Sequence, residues 1–189
     1  MLQFFPRTAG RALTLARSGP NGLAMHRVAA AGTPEFAVTS PAFIANMAIP
    51  SFYTADGRGL SPPVRWRGAP LEARSIMLVI EDVDSPSLLP LVHGMAWVAG
   101  RPQGEIIEGA LNAGSDGALT TLGRNSFLRA GYLPMDPPPG HGPHHYMFQV
   151  FALKNVLQLQ GIPGRNAVLD AMRGQVLAHG RLLGIYERR

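Results

Sequence analysis

The chain has no cysteine. Disulfide staples and thiolate zinc centres are therefore excluded, and a reducing compartment would suit the protein. Charge is scarce as well: Asp, Glu, Lys and Arg make up 15% of the 189 residues. The net charge of +5 is unevenly placed. Arg7, Arg11, Arg17 and Arg27 all precede the first acid, Glu35, which leaves only +1 for the rest. That remainder holds no basic run beyond Arg65-Trp66-Arg67 and Arg188-Arg189. A groove that tracks phosphates needs clustered cations, so no nucleic-acid partner is expected. Long apolar runs are also missing. None approaches the ~18 residues of a membrane helix, so no transmembrane segment is expected.

What the chain does have is apolar content, at 46%, with 22 glycines and 17 prolines. One sizeable core with many turns favours a β-rich domain over a helical bundle. Residues 1–32 carry Arg, Ser and Thr but no acid. We expect a mobile Arg-rich extension there and a single domain over 33–189. The expected location is the cytoplasm. Export or organellar import is the alternative, if the extension is an address.

Strand patterns dominate. Residues 35–43 alternate, and 49–66 read as a short strand, an Asp-Gly turn and a Pro-Pro corner. In "ARSIMLVIEDVDSP" (73–86), Ile76, Leu78, Ile80, Asp82 and Asp84 share one face by a period of two. Met77, Val79 and Glu81 share the other. Both faces are apolar in the first half, which predicts an interior strand. Another strand spans 91–100, with His93, Met95 and Trp97 on one side. A turn-rich section runs from Arg101 to Gly140. From His144, the residues His144, Tyr146, Phe148 and Val150 form one face of a further strand. Helical spacing over 165–180 predicts a helix capped by Asn166 and Gly180, and 181–188 return to strand character. The fold class expected is mainly β: an antiparallel, sandwich-like fold with C-terminal helical structure.

Polar residues gather at strand ends. Asp82 and Asp84 close one strand, His93 lies near the start of the next, and His144 and Tyr146 open theirs. Antiparallel neighbours would bring these five to one rim of the core. Three chemistries suit them. A metal could be held by two carboxylates and two imidazoles, but no HxH or HExxH spacing fixes ligands on one element, so no metal is expected. Acid–base catalysis would use Asp82 and His144, yet no GxSxG or SxxK supplies a nucleophile. An anion pocket would use imidazole and phenol donors, with the carboxylates orienting the histidines or meeting an ammonium on the guest. His141 and His145 read as solvated residues.

"DVDSP" (82–86), the strand bearing His93 and "GRNSFLRAGYLPMDPPPGHGPHHYMFQVFAL" (123–153) together resemble the phosphatidylethanolamine-binding protein family, in its bacterial Raf-kinase-inhibitor-like branch. The D-x-D-x-P and G-x-H-R-Y patterns occur in order, and the likeness covers about 35–188. The resemblance implies a large antiparallel sheet packed on a smaller one, with a pocket for phosphate or a phospholipid head group. Its residues would be Asp82, Asp84, His93, His144 and Tyr146, walled by the loop of Pro139, Gly142 and Pro143. It implies a binder without a cofactor and without catalysis, a kinase or protease as protein partner, and a homodimer. Three positions depart from the pattern. His93 is followed by Gly94 rather than Trp, which predicts extra room beside the pocket. His145 replaces Arg, and Ser126 replaces Asp, as though two partners were lost together.

Overall fold

The computed structural model describes residues 16–112 and 120–188, with Thr8 and Gly114 besides. Arg7 and Arg11 of the extension, and residues 113 and 115–119 of the turn-rich section, lie outside the described residues. In chain order the elements are α1 (Ala24–Val28), β1 (Ala37–Thr39), β2 (Met47–Ala48), β3 (Val64–Arg67), β4 (Ser75–Asp82), β5 (Leu91–Ala99), β6 (Gln103–Ile106), β7 (Thr121–Leu122), β8 (His144–Leu153), α2 (Arg165–Met172) and β9 (Val176–Tyr186). A small sheet has the order β1-β3-β6, and a large one β2-β9-β8-β4-β5-β7. Among the described residues, every pairing between these strands is antiparallel except the short one between β2 and β9.

Alternation decides the layers. β4 is flanked on both sides and all eight of its residues are buried. Ile76, Leu78 and Ile80 pack with Val38, Val64, Trp66 and Ile106 of the small sheet. Met77 and Val79 pack on the opposite face with Leu23, Met25, Leu169 and Met172 of the helical layer. The large sheet is thus the middle of three layers, and its interior strands are apolar on both sides.

The helix expected over 165–180 stops at Met172. Gly174 adopts a left-handed φ of 69°, and from Val176 the chain pairs with β8 as far as Tyr186. A continuous backbone ladder with β8 overrides the helical stripe of Val176 and Leu177. Asn166 does not cap α2; Gly164 occupies that place without a side-chain bond.

Residues 16–32, expected outside the domain, are docked on it. Leu23, Ala24, Met25 and Val28 are buried beneath the large sheet. The first-turn amides of Ala24 and Met25 donate to Glu81 Oε2 (2.8 Å) and Gln149 Oε1 (2.8 Å). Glu81 is fully buried and pairs with Arg165 at 2.6 Å. It also accepts from Gln149 Nε2 at 2.7 Å, while Arg165 reaches the Gly22 carbonyl. The N-terminal segment brings no acid of its own. The sheet supplies one, and it satisfies amides that a short helix leaves open.

Candidate functional site

The end of β4 lies between the beginnings of β5 and β8. Asp82 stands opposite Leu91 on one side and Tyr146 on the other. At this rim opens a cavity of about 670 Å³. Asp82, His93 and His144 line it, with Ser85, Ser87, Arg129 and Asp136 among its polar walls and Phe127, Leu133, Pro137 and Pro138 among its apolar ones.

His93 reaches this face through an irregularity. Simple alternation groups it with Met95 and Trp97, which do face the helices. The pairing slips, however: Ile80 opposes Gly94 and Glu81 opposes Val92, so His93 is the extra residue of a β-bulge. The bulge turns its ring towards Tyr146, edge-on at 5.1 Å. His93 Nδ1 lies 2.7 Å from the Leu133 carbonyl. A carbonyl only accepts, so Nδ1 carries the hydrogen. Burial lowers the pKa of His93 by more than the nearby Asp82 charge raises it. Burial thus favours the neutral ring, in which Nε2 is an acceptor; that nitrogen is buried and without a hydrogen-bond partner among the described residues.

Asp82 is held from two sides. Oδ2 pairs with His144 Nδ1 at 2.7 Å, and Oδ1 accepts the Asp84 amide at 2.8 Å. His144 Nε2 lies 2.6 Å from His141 Nδ1, so a carboxylate and two imidazoles form one chain. His141, expected to be solvated, is fully buried. His144 has both ring nitrogens committed, and the hydroxyls of Ser85 and Ser87 bond each other at 2.8 Å.

Asp84 faces the other way. It accepts the backbone N–H and ring Nδ1 of His145, both at 2.7 Å, and pairs with Arg17. Arg17 also donates to the carbonyls of Pro143 (3.0 Å) and His141 (3.1 Å). Burial pushes the Asp84 carboxyl up, but Arg17 and His145 together hold it below the usual carboxylate range. Tyr146 stands behind His93. Burial first, and Asp82 second, push its phenol well above the ordinary value, and its hydroxyl has no hydrogen-bond partner among the described residues.

Pro139, Gly142 and Pro143 do not line the cavity; Pro137 and Pro138 do. The 139–143 loop instead lies against Arg17, and a Cβ on Gly142 would sit 3.4 Å from its guanidinium. Gly94 opens no extra room. A Cβ there would meet Leu111, fully buried, at 2.9 Å. Ser126 is not the counterpart of His145: its hydroxyl accepts the Val92 amide at 2.8 Å. The pattern of motifs did not point to Arg17, His141, Asp136 or Arg129. Asp136 pairs with Arg188 at 2.6 Å, and its one sequence signal was an acid set before a proline run. Among the described residues no group of three or more acidic or imidazole side chains is arranged to hold a metal, and no helix is long and apolar enough to cross a membrane.

Comparison with known proteins agrees with this architecture. A UPF0098 protein of Pyrococcus horikoshii is 38% identical over 152 residues, covering 79% of this chain and 76% of that protein. The crystal structure of a phosphatidylethanolamine-binding-protein homologue of Chlamydia trachomatis superposes with a TM-score of 0.73 at 30% identity, covering 82% of this chain and 99% of that one. Escherichia coli YbcL, described as a member of the same family, shares the fold with a TM-score of 0.74 at 24% identity, again over 82% of this chain and 99% of its own. The phosphatidylethanolamine-binding protein pattern itself matches residues 39–187, and the chain therefore belongs to that family.

Proposed function

We propose that the protein is a non-enzymatic binder of a small anionic or phosphorylated ligand, held in the cavity at the β4–β5–β8 rim. The observation that carries this reading is the pairing of a roomy, largely apolar-walled cavity with buried polar groups on its floor. His93 Nε2 offers hydrogen-bonding capacity that no described side chain uses, and such groups are rare unless something binds them. Arg129 at the wall supplies the cation. Phe127 lines the cavity and is exposed, as are Leu128, which follows it, and Leu88, which follows the lining residue Ser87. That apolar rim suits a guest with a hydrocarbon part, or a kinase or protease seated over the opening.

Hydrolysis is the competing reading, since Asp82, His144 and His141 form an acid–base chain. Two features weigh against it. No hydroxyl stands on either nitrogen of His144, and none of the three similar proteins described above carries an enzymatic name. Calorimetric titration with inorganic phosphate tests the binding reading. Saturable one-site binding is expected, weakened about 10–150-fold in Arg129→Ala, the equivalent of ~1.5–3 kcal/mol for one charge-assisted bond. Unchanged affinity in the variant, or turnover of phosphoesters or esters by the wild type, overturns it.

A further inference from the structure

We propose that the cavity recognises an oxyanion through a hydrogen that the anion itself carries: Asp82 or Nε2 of His93 accepts an acid O–H, so phosphate is bound and sulfate is refused. This inference rests on the binding reading above and names the chemistry of its ligand.

The argument concerns which groups on the floor can give a hydrogen and which can only take one. His93, which lines the cavity, spends its N–H on Leu133, so its second, unpartnered nitrogen is an acceptor. Each oxygen of Asp82 accepts one N–H, from His144 or from the Asp84 amide, and keeps a second lone pair. His144 has no N–H to spare, because its second nitrogen is engaged by His141. Asp136 adds another carboxylate to the wall. The surrounding charges do not change this balance. Asp84 is matched by Arg17 and His145, and Asp136 by Arg188. Tyr146 keeps its O–H but does not line the cavity, and Tyr132 donates to the Tyr53 carbonyl. A fully deprotonated anion would lay oxygen lone pairs on a carboxylate and an imidazole lone pair, with only Arg129 in its favour. An anion with an O–H gives that hydrogen to one of these acceptors, while Arg129 remains for its other oxygens.

Inorganic phosphate keeps at least one proton near neutral pH, and sulfate keeps none. A phosphate monoester loses its last proton with a pKa of about 6. Calorimetric titration of the full chain with phosphate, sulfate and methyl phosphate, at about pH 6 and about pH 8 and constant ionic strength, separates the cases. Phosphate is expected to bind at least ~10-fold more tightly than sulfate at both pH values. Methyl phosphate is expected to weaken about 50-fold between them as its O–H is lost. In Asp82→Asn, whose amide can donate, the phosphate-to-sulfate ratio is expected to fall towards one. Equal affinity for phosphate and sulfate in the wild type, or methyl phosphate binding indifferent to pH, overturns the proton reading and leaves an anion pocket standing. No binding of any of the three removes both.

Discussion

Arg17 and Asp84, sixty-seven positions apart, form an ion pair that fastens the N-terminal segment to the rim of the cavity. The same guanidinium holds two carbonyls of the loop leading into β8. Asp84 also bonds His145, and its guanidinium partner comes from residue 17, outside residues 39–187 that the family pattern matches.

Arg17→Ala removes that cation and two loop contacts. Its side chain is 29% exposed, so solvent screens part of the loss. The expected cost is about 1–2 kcal/mol in urea denaturation, with weaker phosphate binding because the loop under His141 is released. Arg17→Lys should recover only part of it, since an ammonium lacks the planar fork that reaches three acceptors. An unchanged midpoint in Arg17→Ala contradicts this role.

The Glu81–Arg165 pair makes a sharper prediction. Glu81 is fully buried, and Arg165 is the one cation bonded to it among the described residues. Arg165→Met strands a buried carboxylate, and the expected loss is about 3–5 kcal/mol. Hydrogen exchange should also show faster amides in α1, whose first turn is bonded to Glu81 and Gln149.

Stability should fall as the solution is acidified below the ordinary imidazole range. The pKa of His93 is lowered in the folded state, chiefly by burial. Between about pH 6.5 and the folded value the unfolded chain binds a proton that the native one does not. Stability therefore drops with falling pH, by at most about 1.4 kcal/mol per unit for this one group. His179 shifts in the same direction, so the measurement is the difference between wild type and His93→Gln. Parallel stability–pH curves would remove His93 as the source.

Gly94→Trp restores the residue that the family pattern has after the histidine. Leu111 already fills that space, so the change should overpack the core and cost about 1–3 kcal/mol. A tolerant variant would mean that the turn-rich section around Leu111 yields readily.

The pattern of apolar residues was enough to read the sandwich, because a strand's side chains alternate by geometry whatever surrounds them. Ile76, Leu78 and Ile80 fall on one side and Met77 and Val79 on the other, as the spacing requires. Asp82 and His144 could be read as rim residues because each stands at a strand end. Val176 and Leu177 misled because a helical stripe and a strand can share the same short apolar run, and the ladder with β8 settled the choice. The slot of His93 escaped a period-of-two reading because a bulge breaks that period; the glycine after it was the available hint.

Composition and spacing alone determined a cysteine-free, β-rich domain with acids and imidazoles at its strand ends, because these follow from local geometry and chemistry. Tertiary structure alone decided that Arg17 meets Asp84, that His141 is buried against His144, and that His93, a residue of the cavity wall, keeps a buried and unpartnered nitrogen. Those facts depend on which distant groups become neighbours and on which partner claims each hydrogen. No local pattern along the chain carries that information.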